Sequence, residues 1–265
     1  MNKPFLQLLF SYIFINTLLF AQNATPKANW YSKSANMHVL HYTAKDSALV
    51  ENVVSFLDNG IKTVVAYFDK PFVRNFDVYV FPSRQSLDEQ WGKDWSIQDF
   101  KSECWMVASG VAHRLDLLSP SAWKTEACEH SAENIDHVQK LITHELVHVY
   151  HGQHNPIPDF TGMDDLGWLV EGIAVLVSGQ MDSNRNKDLI EAKKQNKLPA
   201  QLKNAWSGKY RYTVCGSIVD FIVTKYSNKI VPQLLKCTKE EELMKLLNSN
   251  EGELLNNWTS SIISQ

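Results

Sequence analysis

Hydrophobic positions recur with a period of two in some parts of the first half of the chain and with a helical period in others. Strict alternation predicts strands, whereas spacings of three and four, as at Leu49, Val53, Phe56 and Leu57, predict a helix. The predicted elements are a strand over residues 37–43, a helix over 46–68, a strand over 78–81, a short helix over 86–91 and a strand or hairpin over 106–118.

The second half of the chain shows helical spacing alone. It predicts helices over residues 138–150, 168–178 and 239–247, with a loop rich in Pro, Asp and Gly over 152–167. The fold class expected from this order is α+β. We expect one domain over residues 23–265, with a strand-containing N-terminal lobe at about 30–152 and a helical C-terminal lobe at about 153–265.

The helix predicted over residues 138–150 carries the segment HELVH. Four residues on a helix separate His144 from His148 by about 40° of rotation and about 6 Å of rise, so both imidazoles project toward one point. Glu145 lies beside that face, where a carboxylate can take a proton from a metal-bound water. The spacing therefore predicts two metal ligands and a general base.

Catalytic zinc takes a third protein ligand, for which the sequence offers two main choices. Glu171 is the one carboxylate in an apolar stretch, and a buried acid needs a partner. His154 is the alternative, although His151 and Gly152 do not fit the HExxHxxGxxH spacing. We prefer Glu171 and expect His151 and His154 to be solvated residues of a loop after the helix; His130 and His137 are further alternatives.

The segment HELVH followed by WLVEGIA resembles the gluzincin metallopeptidases, and more particularly the small peptidase MA-like families. Residues 76–83 resemble the strand of that family, 107–120 its glycine-containing edge strand and 212–226 its C-terminal helix. The resemblance implies a zincin-like fold with a mixed sheet and a cleft between the lobes.

The resemblance also implies roles for individual side chains. It implies zinc on His144, His148 and Glu171, with Glu145 as general base, and it suggests Tyr212 as a hydrogen-bond donor to an oxyanion. Tyr210 is equally near in sequence, and a structural tyrosine is the other interpretation of Tyr212.

The sequence departs from the thermolysin-like pattern at Val175, where those enzymes place an acid that orients a zinc histidine. We expect that partner to be a backbone carbonyl, Ser178 or an acid within residues 159–165. Gly172 would let the two helices that carry the ligands approach closely.

Residues 1–22 have a short positive start, an apolar run and small residues at its end, which predicts a cleaved secretory signal peptide; a retained signal anchor is the alternative. The chain has 4 cysteines, none in a CxxC pair. Proximity in sequence favours disulfides between Cys104 and Cys128 and between Cys215 and Cys237. Four reduced thiols are the alternative.

The formal net charge is −3, with no basic cluster, which argues against nucleic-acid binding. The expected function is that of a secreted or periplasmic zinc peptidase, in which Glu145 activates a zinc-bound water to hydrolyse peptides or proteins. An inactive zinc-binding interaction module and an amidase for a small amide are the alternatives. Cleavage specificity and oligomeric state cannot be read from the sequence.

Overall fold

The computed structural model of the protein describes residues 29–262, and the signal peptide predicted for residues 1–22 lies outside them. Within this part the fold is α+β, as predicted, with one five-stranded mixed sheet and ten α-helices. The strands are β1 (Trp30–Ser34), β2 (His38–Thr43), β3 (Phe76–Phe81), β4 (Ala108–Val111) and β5 (Arg114–Leu118).

The sheet has the order β1-β2-β3-β5-β4, which places β4 at one edge. β2, β3 and β5 run parallel to one another, while the two outer strands pair antiparallel with their neighbours. The region predicted as a strand or hairpin is a hairpin, in which Ala108 pairs with Leu117 and Val111 with Arg114. The strands all precede residue 119, and only helices follow them in the described part of the chain.

The helices agree with the hydrophobic pattern and extend beyond some predicted bounds. The predicted helix over 46–68 begins as a 3₁₀ turn (Ala44–Leu49) before it becomes α-helical. The ten α-helices are α1 (Val50–Phe68), α2 (Arg84–Asp94), α3 (Trp123–Glu126), α4 (Ile135–His154), α5 (Gly167–Val177), α6 (Ser183–Lys194), α7 (Arg211–Tyr226), α8 (Val231–Leu234), α9 (Glu240–Leu247) and α10 (Glu251–Ser261).

Helix α4 lies at the centre of the packing, between α1, the sheet and α5. Gly60 of α1 lies so close to α4 that a Cβ there would stand 2.5 Å from Leu146 Cδ1 and 3.1 Å from Thr143 Oγ1. On the sheet side, Gly110 of β4 faces the backbone of α4, where a Cβ would collide with the carbonyl oxygen of Glu145. Glycines on both sides therefore allow α4 to be enclosed by backbone.

Gly172 does allow a close helix contact, but the partner is α7 and not the helix expected from the sequence. A Cβ at Gly172 would lie 2.5 Å from the carbonyl oxygen of Cys215 and 2.5 Å from Val219 Cγ2. Gly216 of α7 repeats this arrangement against Val175, so α5 and α7 approach each other at two small residues. The apolar length of α5 is thus buried between α4 and α7.

The cysteines were predicted in two pairs, and one pair is correct. Cys104 and Cys128 form a disulfide with a Cα–Cα distance of 5.3 Å. Cys215 and Cys237 are free and buried, so the second predicted disulfide is wrong. Proximity in sequence gave the wrong pair because Cys215 lies within α7, on the side that packs against Gly172 of α5.

None of the helices between residues 29 and 262 combines the length and the apolar composition that crossing a membrane requires.

We predict that the unreduced protein has two titratable thiols, which react with a disulfide reagent only after unfolding because Cys215 and Cys237 are buried. Replacing Cys104 and Cys128 by serine should lower the free energy of unfolding by about 3 kcal/mol, since the closed loop is of moderate length. Thiol titration with and without denaturant, and urea unfolding, measure the two effects. Absence of reactive thiols in denaturant would contradict this arrangement.

Candidate metal centre

Helix α4 begins at Ile135 after Asn134, whose side chain accepts a hydrogen bond from the backbone N–H of His137. From there it runs without interruption to His154, and its middle is buried because apolar residues occupy most of its circumference. His144 and His148 are 4 % and 6 % exposed, and Glu145 is 7 % exposed. Three ionisable side chains therefore lie in an interior that penalises charge unless they have partners.

The two imidazoles meet the carboxylate of Glu171, which α5 presents from the opposite side. His144 Nε2 lies 3.0 Å from His148 Nε2 and 3.2 Å from Glu171 Oε2, and His148 Nε2 lies 3.7 Å from Glu171 Oε1. These three side chains form a group whose ligand atoms could hold a metal ion. The structure thus brings together the three residues that the sequence singled out as ligands.

The spacing of the ligand atoms can be compared with the requirement of a small divalent cation. Ligands at about 2.0–2.1 Å in tetrahedral directions lie about 3.3 Å from one another. The two ring nitrogens lie 3.0 Å apart, and they approach different oxygens of Glu171, Oε2 at 3.2 Å for His144 and Oε1 at 3.7 Å for His148. The donor set of two ring nitrogens and a carboxylate is therefore spaced closely enough to hold a metal ion.

The side chain that orients His144 is Gln180, which the sequence analysis did not identify. Its Oε1 accepts from His144 Nδ1 at 3.0 Å; when the ring is neutral, this bond keeps the proton on Nδ1 and leaves the lone pair of Nε2 for a metal ion. Ser178, which we had considered, donates to the carbonyl oxygen of Val175 instead. Gln180 follows α5 in a turn closed by the hydrogen bond from its N–H to that same carbonyl. The long separation in sequence hid this partner.

Burial sets the protonation of His148 and Glu145. Burial, together with the charge of His144, lowers the pKa of His148 to about 4, so its ring is neutral and able to ligate at neutral pH. Burial also raises the pKa of Glu145 to about 7; His144 opposes this shift and the charge of Glu171 adds to it. A carboxyl group with such a pKa can both accept and donate a proton near neutral pH.

The ligands open into a cleft of about 580 Å³. One wall is the edge strand β4 and the other is formed by the start of α7 and the segment before it. The floor is α4, with Glu145 beside the two histidines. Aromatic side chains line much of the cleft: Trp91, Trp95, Trp105, Phe160, Trp206 and Tyr212.

Tyr212 is the tyrosine that lies at the site, whereas Tyr210 is not. The ring of Tyr212 is 6.0 Å from the ring of His144, centroid to centroid, and packs edge-on against Trp206. Tyr210 is buried elsewhere, with its hydroxyl 3.5 Å from Gln195 Oε1. Burial, together with the charges of Glu171 and Glu145, raises the pKa of Tyr212, so its phenol remains a donor at neutral pH.

His130, His137 and His154, the other histidines considered as ligands, are outside the candidate ligand group, although His130 lines the same cleft. Nδ1 of His130 lies 2.9 Å from Nε2 of His137, so these two rings contact each other. His154 bonds to the carbonyl oxygen of Tyr150 through Nδ1 and stacks on that ring. None of these three belongs to the ligand group.

The expectation that His151 and His154 are solvated loop residues is wrong. Both belong to the last turns of α4, and His151 is 0 % exposed. Gly152 does not turn the chain; it lets the helix touch the segment that follows, where a Cβ would lie 2.5 Å from the carbonyl oxygen of Pro158. The helix therefore continues three residues into the region predicted as a loop.

A scan against models of protein families finds no family that matches the chain, and a search of curated proteins finds no matching relative. The resemblance to gluzincin peptidases therefore stays a hypothesis that rests on the segments HELVH and WLVEGIA.

We predict that the protein binds one divalent ion and that Glu171→Gln weakens this binding by at least about 100-fold. Loss of a side chain that only orients a ligand weakens metal binding by about 10- to 100-fold, and loss of a ligand itself should cost at least as much. The amide leaves the site uncharged and offers a poorer ligand. Calorimetric titration with Zn²⁺ measures the affinity. Glu133→Gln, at an exposed carboxylate before α4, is the matched control and should bind as the unaltered protein does.

The hydrogen bond from Gln180 to His144 generates a second prediction about metal affinity. Gln180→Leu should weaken Zn²⁺ binding by about 10- to 100-fold while leaving the stoichiometry at one ion, because the imidazole loses the group that fixes its orientation. The exposed Gln98→Leu serves as control. Equal affinities for the two variants would exclude a role for Gln180 in holding the ligand.

Proposed function

We propose that this protein is a zinc-dependent peptidase of the gluzincin type, with a zincin-like arrangement of sheet, ligand helices and cleft. One observation supports this most directly. Two imidazoles, a ligating carboxylate and a second carboxylate with a raised pKa lie together at the floor of a cleft bordered by an edge strand. The reaction is hydrolysis of a peptide bond.

Zinc is the proposed ion because of the donor set. Mixed nitrogen and carboxylate ligands in a tetrahedral arrangement with one open position are typical of catalytic zinc, whereas magnesium and calcium prefer six or more oxygens. Zinc, when bound, supplies an acidified water and a Lewis acid that polarises a carbonyl group. The ligands His144, His148 and Glu171 would hold it.

Glu145 is the proposed general base and acid. It follows the ligand His144 on α4 and lines the same cleft, so a water near the ligands is within its reach. Its raised pKa, to about 7, matches a group that takes a proton from water and then delivers it to the leaving amine. A purely structural role for this buried acid is disfavoured, since no described side chain forms an ion pair with it.

Tyr212 and β4 are the proposed means of positioning the substrate. The protonated phenol of Tyr212 lies on the His144 side of the ligands, where it can donate to the oxygen of the carbonyl under attack. Strand β4 lines the cleft and, within residues 29–262, pairs with β5 alone, so its outer side is unpaired there. An extended peptide can pair with that edge as an added strand.

We also propose that the protein is exported, as the sequence of residues 1–22 predicts. The disulfide between Cys104 and Cys128 supports this, because such bonds persist in oxidising compartments.

The test of the proposed function is cleavage of a diverse peptide library by purified protein, with and without a chelator. We expect cleavage that the chelator abolishes and Zn²⁺ restores. Metal binding without turnover of any substrate would favour an inactive binding module of the same fold. Turnover of small amides without peptide cleavage would favour an amidase.

The carboxylate of Glu145 can be tested separately from the ligands. Glu145→Gln should retain Zn²⁺ affinity within a few-fold but lower kcat by at least about 100-fold, since the amide cannot accept the proton. The exposed Glu133→Gln is again the control. Unchanged peptidase activity in Glu145→Gln would remove this mechanism.

A further inference from the structure

Arg211, the first residue of α7, has its guanidinium group enclosed by aromatic rings. Its Cζ lies 4.0 Å from the ring centroid of Trp105, 5.1 Å from that of Tyr212 and 5.7 Å from that of Trp206. Such contacts stabilise the cation, and they hold the planar group in one orientation. The side chain is therefore placed with more precision than a surface arginine.

Among residues 29–262 Arg211 forms no direct ion pair, although its charge acts on Glu171, whose pKa is lowered mainly by the nearby histidines and also by this guanidinium. Its one hydrogen bond there runs from Nη1 to the carbonyl oxygen of Gly208 at 3.3 Å. Its Nε is buried and has no hydrogen-bond partner, while Nη2 also has none and remains accessible. A half-buried guanidinium with unused donors is costly unless a ligand supplies the acceptor.

The unused hydrogen-bond donors of Arg211 lie near the candidate metal centre. The three rings that enclose it, Trp105, Trp206 and Tyr212, all line the cleft. Tyr212 lies between Arg211 and the ring of His144, at 5.1 Å from the former and 6.0 Å from the latter. The guanidinium is thus one aromatic ring away from the ligands, within the reach of a residue next to the scissile bond.

A second cation strengthens the positive charge on this side of the cleft. Arg185 lies 5.3 Å from the centroid of the Tyr212 ring and likewise forms no ion pair within the described part of the chain. The other side, next to His148, carries Phe160 and the exposed carboxylate of Asp159. Both arginines thus lie behind the rings that line the cleft, whose own charged side chains include Lys203 and Asp164.

We propose that Arg211 binds a carboxylate group of the substrate on the His144 side of the metal centre, so that this protein prefers peptides that present a carboxylate at that position. The planar guanidinium matches a carboxylate, and the aromatic surroundings exclude water from the pair. The carboxylate is either a glutamate or aspartate side chain or the C-terminus of the peptide. This inference rests on the proposed peptidase function but concerns binding, which can be measured without turnover.

The experiment measures binding of three dansylated pentapeptides to the Glu145→Gln protein loaded with Zn²⁺. The first has a central glutamate and an amidated C-terminus, the second a central glutamine and an amidated C-terminus, and the third a central glutamine and a free C-terminus. We expect the first or the third to bind about 10- to 100-fold more tightly than the second, the effect of one charged hydrogen-bonded pair. Which of the two binds tightly identifies the source of the carboxylate.

Arg211→Gln should abolish this preference, and Arg211→Lys should restore part of it. Arg74→Gln, at an exposed arginine whose only contacts to Gln153 are made by its backbone, should retain the full preference. A structural role alone would weaken binding of all three peptides equally and would overturn the proposal. Arg211→Gln also removes the contacts with the aromatic rings, so the preference is first measured with Arg211 intact. If all three peptides bind that protein equally, or none binds detectably, the proposal is overturned without any variant.

The carboxylate of a probe could also bind the metal ion directly, so the titrations are repeated with a chelator. A preference that the chelator removes and Arg211→Gln retains would belong to the metal and overturn the proposal. The outcomes for the two proposals are distinct. Peptide cleavage by the unaltered protein without a charge preference overturns the role of Arg211 alone, whereas a charge preference without cleavage of any peptide overturns the peptidase function alone.

Discussion

The mutual approach of His144, His148 and Glu171 is the constraint on which the site depends. Two ring nitrogens 3.0 Å apart and a carboxylate face one another in a region where each is costly to desolvate. A proton shared among them would satisfy one pair only, whereas a divalent cation satisfies all three donors at once. Binding such an ion therefore stabilises the native packing of α4 against α5, and folding and metal affinity become linked.

Backbone contacts at small residues hold the two ligand helices in place. Gly60 brings α1 onto α4, Gly110 brings β4 onto the opposite side of α4, and Gly172 brings α7 onto α5. A Cβ at any of these positions would push the packed elements apart and would change the distances among His144, His148 and Glu171. The candidate site is therefore built on helices and a strand that pack closely against one another.

Local patterns predicted most of the longer elements, though not β1, and they singled out His144 and His148, because a helical period and a spacing of four residues are properties of one segment. The α4 helix, the β4–β5 hairpin and the pair Cys104–Cys128 were all readable in this way. Gln180 was not, since it meets His144 across 36 positions of sequence. The burial of His151 and the free thiol of Cys215 were missed for the same reason: both depend on which segments pack against a helix, which periodicity does not reveal.

The segment that precedes β4 and also lines the cleft is ordered without regular secondary structure. Arg84 donates to the carbonyl oxygens of Glu103, Cys104 and Met106 and also to that of Glu126, so one guanidinium ties together the segment that contains Trp105. The disulfide from Cys104 fixes the same segment covalently. Trp105 then stacks on Arg211 from the other half of the chain. Because both arginines are held by fixed groups, the packing of side chains sets the width of the cleft at this end.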